Sequence, residues 1–441
     1  MSNLIIPLQE HLGYNSKEEV PEIFTPYFKR DYYRKSFKKT HRKKSKKESC
    51  FTIIKGEETD DYYVETGYYI GVDWVVKNEV AAHIVPKLND IEQIDYLKML
   101  FSSIEHPEVV DHITDLFEIK WDQPKIEITQ QQDLLTPFLI IEFLGVLKKI
   151  VKKGLKKSYY NVERNLYGRV KGKILVSKTI KHNVSKNENL KVFCSYEEFG
   201  ANTKENRFLK KVFEFSKKFL PTYGKLTDTK GLQDLFHFIN PAFDEVSSNT
   251  TARELRQFKS NSFFKEYDEA VRLGKLILER FAYNISNTSQ TTISTPPFWI
   301  DMSKLFEFYV LGKLKDSFKQ DVKFQYKYFG NELDFILKST DLNMVIDAKY
   351  KPKYKDSRDN KDMRQVSGYA RLKNVYEYLH GETEGVYDKI IDVLIIYPNQ
   401  EAEDEIKIDK IKEDPIKDYI HSYRLGVKLP VITKNGEETI S

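Results

Sequence analysis

Two aspartates, Asp334 and Asp347, each interrupt a short apolar run, and the runs flank a Ser-Thr-Asp turn. The stretch ELDFILKSTDLNMVIDAK spans Glu332 to Lys349, with five to six mostly polar residues (Lys338 to Asn343) between its apolar halves. Alternating apolar segments around such a turn predict a β-hairpin. A hairpin centred on Thr340 and Asp341 sets residue 334 directly opposite residue 347. The side-chain period of two puts Val345, Asp347 and Lys349 on one face. Two carboxylates and a lysine then converge on one patch of sheet. Like charges directly opposite each other destabilise a sheet, and a bound divalent metal is the simplest agent that removes the repulsion.

The chain has 441 residues, which predicts two or three domains. Its 40% hydrophobic and 13% aromatic content is that of a globular protein. The longest apolar run, Leu134 to Val151, is interrupted by Pro137 and Glu142 and reads as a buried helix, not a membrane span. The N-terminus lacks a basic segment followed by a long apolar one, so no secretory signal is expected and a cytoplasmic location is the default. Cys50 and Cys194 have no metal-ligand spacing and imply no disulfide framework. The net charge of +5 is uneven: Lys29 to Lys47 holds eleven Lys/Arg and one Asp, and the chain without them is at −5. Such a segment, with Tyr32, Tyr33 and Phe37 interleaved, reads as a solvated surface, a phosphate-contacting arm or a contact for an acidic protein.

The expected organisation is α/β and multidomain. Residues 1–50 read as a basic irregular arm, 51–130 as a β-rich domain, 131–295 as a mainly helical middle region, and 296–441 as a C-terminal α/β domain. In the second segment Tyr, Val, Ile and Trp runs are broken by Gly67, Gly71 and Asn78, suggesting a small antiparallel sheet. Thr136-Pro137 predicts a helix start. Lys204 to Leu220 is amphipathic, with Phe208, Leu209, Val212, Phe213 and Phe219 as the buried set. The polar stretch Asn284–Pro297 predicts a linker. Beyond it the pattern reads α-β-β-β-α-β: a helix at about 302–318, a strand at 322–329, the hairpin, a helix at about 362–379 and a buried strand at 390–398. Residues 399–441 are charged and poorly patterned.

An Asp-x-Lys triplet alone is weak, since several arise by chance in so charged a chain. Around the hairpin, however, Glu307 is a lone carboxylate within LFEFYV on the preceding helix. Gln365 and Tyr369 lie one turn apart on the following helix, with Asp362 a turn earlier. Bland alternatives stand beside each: a surface ion pair for Asp347 and Lys349, solvent exposure for Glu307, ordinary helix-surface and packing positions for Gln365 and Tyr369, and a helix cap for Asp362. As a set they point to metal-dependent phosphodiester hydrolysis. Carboxylate oxygens suit Mg²⁺, with Mn²⁺ as the substitute, and one or two ions would polarise the phosphate and activate water. Asp334, Asp347 and Glu307 would hold metal. Lys349 would orient or help deprotonate the water and stabilise developing charge, and Gln365 could hold the substrate backbone or the water.

This set resembles the PD-(D/E)XK nuclease core, with Asp334, Asp347 and Lys349 as its signature and Glu307 as its helix acid. The proline that precedes the first aspartate in many members is replaced by Leu333. WIDMSKLFEFYVLGKL, NELDF, MVIDAKY, DMRQVSGYA and LIIYP together resemble the McrC family, nuclease subunits of McrBC-type restriction systems. YYIGVDWVVKNEVAAHIVPKLND, RVKGKI and Glu205-Asn206-Arg207 extend the likeness over roughly residues 60–400. The basic segment 29–47 is outside it.

The resemblance implies a PD-(D/E)XK, restriction-endonuclease-like α/β domain with a mixed sheet over 296–441. It also implies DNA as substrate and a GTP-driven AAA+ motor ring engaged by the N-terminal part, residues 51–130 included. Each Gly-Lys pair (172–173, 224–225, 274–275, 312–313) is followed by Ile or Leu, so no Walker A loop is present and this chain is expected to bind no nucleotide. No HExxH motif or Cys/His cluster suggests zinc, and no membrane partner is expected. Two other functions stay open at this level: a stand-alone repair or recombination nuclease, and a non-catalytic scaffold.

Overall fold

The computed structural model describes residues 3–11, 13–14, 35–40, 47–55, 62–86, 93–104, 106–112, 116–129, 135–220, 230–250, 265–286, 292–328, 331–340, 342–351, 360–381 and 385–432. The chain divides into two compact units. One joins residues 1–137 and 226–232 to 289–441, and the other comprises 138–225 and 233–288.

The first unit is built on two five-stranded sheets. In the N-terminal one, β1 (Leu4–Gln9), β2 (Tyr69–Val76), β3 (Val80–Val85), β4 (Phe117–Ile119) and β5 (Phe298–Asp301) stand in the order β1-β3-β2-β5-β4. β1 runs parallel to β3, and the other pairs are antiparallel. β2 is buried along its whole length, as a strand covered on both faces must be. β5 arrives from far along the chain, and its register follows from chemistry. The indole N–H of Trp299 donates to the buried Asp73 Oδ2 at 3.1 Å. Asp73 also accepts from the backbone of Trp74 at 2.8 Å and pairs with Lys120. A buried carboxylate so partnered costs far less than an isolated one. Gly71 makes the approach possible: its φ is +142°, and a Cβ there would lie 2.2 Å from the carbonyl oxygen of Phe298.

These pairings correct the expected organisation. Residues 1–50 are not one irregular arm. Besides β1, Gly13–Tyr14, Lys35–Thr40 and Lys47–Lys55 join Tyr62–Thr66 in an antiparallel sheet. Strand pairing there overrides a sequence dominated by charge. Residues 29–34 and 41–46 of the basic segment, Tyr32 and Tyr33 among them, lie outside the described residues. The boundary expected within Asn284–Pro297 is there, between residues 288 and 289, although both flanks of that stretch are structured. The helix Lys265–Ser286 runs into it, and Thr292–Thr295 pairs antiparallel with Ile126–Thr129. Ser/Thr-rich text reads as loop, but Thr is also a good strand residue once a partner edge exists.

The second unit is not helical throughout. Ser158–Tyr167, Lys191–Gly200 and Lys173–Ile174 form a three-stranded antiparallel sheet. The expected amphipathic helix is Lys204–Phe219, burying Phe208, Leu209, Val212 and Phe213, with Phe219 only partly covered.

The helix that leads into the C-terminal sheet follows β5 without a loop. α1 (Met302–Phe318) starts on Asp301, whose side chain caps the N–H of Lys304 at 3.0 Å. β6 (Val322–Tyr328), β7 (Asn331–Lys338) and β8 (Asn343–Ala348) are antiparallel. α2 (Asn360–Tyr369) and α3 (Lys373–His380) intervene before β9 (Asp392–Pro398) and β10 (Ser422–Val427), which continue the sheet in parallel from β8. α2 and α3 cover one face through Met363, Val366, Val375 and Leu379 packed on Leu333, Ile336, Val345 and Val393. The single helix expected at 362–379 is thus two, broken at 370–372, and β10 is an unexpected fifth strand within a charged tail. Its Ser422–Val427 ladder needs β9 as a template that periodicity alone does not supply.

Replacing Gly71 by Ala should lower stability by more than about 3 kcal/mol, since both the backbone of Phe298 and the positive φ oppose a Cβ. Urea unfolding of Gly71→Ala beside the wild type measures this.

Candidate active site

The hairpin has the register the sequence predicts, Phe335 facing Ile346 and Lys338 facing Asn343, which puts position 334 against 347. There the sheet opens. The β7–β8 ladder ends at Phe335, and the β6–β7 ladder passes from Phe324↔Phe335 to Tyr326↔Leu333, skipping Gln325 and Asp334. Gln325 takes φ +48°, unusual for a non-glycine residue inside a strand. In place of a ladder carbonyl, the Asp334 carboxylate accepts the N–H of Ala348 at 2.9 Å. The site occupies this gap, where β8 ends, beside the start of the parallel half of the sheet. Ligands gather at the carboxyl ends of parallel strands in open α/β sheets.

Four elements supply the polar groups. β8 presents Asp347, 1% exposed, with Lys349 just beyond it. The Lys349 ammonium is 2.8 Å from Asp347 Oδ2 and donates to Gln365 Oε1 of α2 at 3.1 Å. That ion pair is the partner of the buried Oδ2. Gln365 in turn donates to the hydroxyl of Tyr369 at 2.8 Å. From α1, buried Glu307 pairs with Lys304 at 2.5 Å. Asp362 lies inside the first turn of α2 and pairs with Lys351 at 2.7 Å, so it acts as an ion-pair partner and not as a helix cap.

Electrostatics mark this as one site. Burial, and then the charge of Asp334, push Asp347 up to about 8 and Glu307 up to about 7. Burial also raises Asp334 itself, against the pull of the Ala348 N–H, Lys349 and Lys304. Lys304 and Lys349 are raised despite burial because each faces its own carboxylate and Asp334. Glu307, Asp334 and Asp347 therefore form a carboxylate set with more negative charge than its two lysines relieve. Among the described residues no three His, Cys, Asp or Glu groups already close into a metal cage. The donor set is nevertheless all carboxylate, the kind a hard divalent cation takes, and Asp347 lies almost wholly out of solvent. The residues fit Mg²⁺ by charge and by donor type.

All five expected site residues, Glu307, Asp334, Asp347, Lys349 and Gln365, are brought together. Tyr369 supports Gln365 as a packing residue. Two contributors are absent from the sequence reading. Lys304 is one, and its signal was its i, i+3 spacing to Glu307. The other is Gln325, whose side chain hydrogen-bonds Glu307; only its left-handed backbone reveals it.

Over residues 64–387 the chain matches the family model described as McrBC 5-methylcytosine restriction system component. No curated protein matches. Among solved structures, it is similar at 15% identity to a chain of the "Refined half-complex from tetradecameric assembly of Thermococcus gammatolerans McrB AAA+ hexamers with bound McrC", covering 99% of this chain and 97% of that chain with a TM-score of 0.37. A chain of the "Cryo-EM structure of the Thermococcus gammatolerans McrBC complex" is similar at 16% identity over 70% of this chain and 87% of that one, with a TM-score of 0.27. Among the described residues no helix is long and apolar enough to cross a membrane.

The raised carboxyls predict how the metal-free protein melts. Folded Asp347 holds its proton up to about pH 8, whereas in the unfolded chain it releases it near about 3.9. The folded state binds more protons within that window, so stability falls as pH rises through it. Asp347→Asn removes this titration without changing the shape. In chelator its Tm should exceed the wild type's at pH 8 by roughly 2–4 °C and vary less between pH 5 and 8. Thermal melts at both pH values check this.

Proposed function

We propose, on the premise that this chain belongs to the family of McrBC 5-methylcytosine restriction system components, that it is the DNA-cutting subunit of such a system. The C-terminal sheet is read as a PD-(D/E)XK-type nuclease core. The observation that carries this reading is half-buried Asp334 set against buried Asp347, with Lys349 beside them, at the open end of β8. A purely structural role would leave a buried and a half-buried carboxylate repelling each other for no return, since apolar residues of similar size would pack there at lower cost.

Glu307, Asp334 and Asp347 would hold Mg²⁺, which when bound supplies charge neutralisation at the scissile phosphate and a more acidic water. Lys349 is kept protonated by the carboxylates around it, so its ammonium is suited to stabilising charge that develops on the phosphoryl oxygens. Gln365 carries that ammonium on its Oε1 and is exposed, so it can meet the DNA backbone or the attacking water. Lys304 holds Glu307 in place from one turn away. The absence of a Walker A loop in the sequence fits a division of labour in which a separate AAA+ GTPase supplies translocation and this chain engages it through its N-terminal part.

The test is cleavage of methylated DNA by the chain with its motor subunit, GTP and Mg²⁺. Asp347→Ala and Lys349→Ala should each lower cutting by at least about 10²–10³-fold, while co-purification with the motor persists. Normal cutting by Lys349→Ala would sink the assignment. Cutting by the purified chain with Mg²⁺ alone would support a stand-alone nuclease instead.

A further inference from the structure

Lys349 must be aimed, and the backbone around it offers little to aim it. β8 ends at Ala348, and Lys349 keeps to the sheet through one bond, its N–H donating to the Ile396 oxygen at 2.8 Å. The chain then makes a three-residue turn, the Lys351 N–H donating to the Lys349 oxygen at 2.8 Å. Such a turn has a single internal hydrogen bond and does not by itself fix where its central residue points.

The central residue is Tyr350, 4% exposed. Its ring lies 5.7 Å from those of Tyr68 and Phe306. Its hydroxyl donates to Glu10 Oε1 at 2.6 Å, the length of a charge-assisted bond. Glu10 is itself buried and directly follows β1, with its backbone N–H held by the Val85 oxygen at 3.1 Å. Beside it, His11 Nε2 meets the Tyr68 hydroxyl at 2.9 Å. Residues 340 positions apart thus fasten the turn to the N-terminal sheet. Lys349 is the first residue of that turn and its ammonium lies 2.8 Å from Asp347 Oδ2, so a fixed Tyr350 limits the directions in which the Lys349 side chain can leave the backbone.

We propose that the Glu10–Tyr350 hydrogen bond is the anchor that aims Lys349, which makes Tyr350 and Glu10 positioning residues for the cleavage reaction. This rests on the nuclease reading above. It also makes the end of β1 a mechanical input to the active site: a load on Glu10 and His11 reaches Lys349 through Tyr350.

The test compares wild type, Tyr350→Phe and Glu10→Gln in the full complex. Tyr350→Phe keeps the ring contacts and removes the donor. Glu10→Gln keeps an oxygen that accepts. Tyr350→Phe should lower kcat for cleavage roughly 10–100-fold with KM for DNA unchanged and the protein still folded at the assay temperature, and Glu10→Gln, which keeps an acceptor but loses the charge, should lose clearly less. Competitive acetylation of lysines, read by mass spectrometry, follows Lys349 without catalysis, and its labelling rate should rise several-fold in Tyr350→Phe. Wild-type cleavage and wild-type Lys349 labelling in Tyr350→Phe would overturn the inference, as would a loss in Glu10→Gln as deep as in Tyr350→Phe. A wild type that fails to cut, with the labelling change present, would contradict the nuclease reading and leave the anchor standing.

Discussion

Asp334, half-buried, and Asp347, buried, repel each other across a hairpin, and the C-terminal half of the molecule is arranged around that repulsion. The sheet parts at Asp334, so that its carboxylate takes the Ala348 N–H in place of a ladder bond. Lys349 and Lys304 come in from β8 and α1 to offset the charge, and Glu307 adds a third carboxylate that undoes part of the relief. Burial, and then the negative charge of Asp334, push Asp347 and Glu307 up toward neutral pH. A fold selected for stability alone would not retain this arrangement. A fold that takes up a divalent cation gains from it.

The N-terminal sheet serves the same site by less direct means. β5 crosses into it from the C-terminal region and locks there through Trp299 and Asp73. That fixes Asp301, the cap of α1, and α1 carries Lys304 and Glu307. From the other edge, the end of β1 reaches the turn that follows Lys349. The two acids and the lysine of the hairpin are local in sequence, whereas the framework that orients them is drawn from residues hundreds of positions away.

That distinction explains what could be read in the sequence. The hairpin register, α1, the sequence of strands from 322 to 398 and the clustering of Glu307, Asp334, Asp347, Lys349 and Gln365 were legible because each depends on short-range periodicity or on polar residues placed on otherwise apolar elements. The expected linker at 284–297 holds the boundary between the two units, but the strands Thr292–Thr295 and Phe298–Asp301 could not be read, because they acquire strand structure only from distant partners. The same holds for β1 and β10. Glu10 and Tyr350 carry no local signal of their partnership. Gln325 reads as one more polar position on an alternating strand, and its role follows from a backbone angle that no residue pattern encodes.

The central claim is that Glu307, Asp334 and Asp347 form a cation site whose charge is held in check by protons when the cation is absent. Calorimetric titration of the metal-free chain with Mg²⁺ at pH 7.5, repeated in buffers of different ionisation enthalpy, measures the protons released per ion bound. The account predicts binding with release of about one proton, with both binding and release lost in Asp347→Asn. Binding without proton release, or binding that survives Asp347→Asn unchanged, would contradict it.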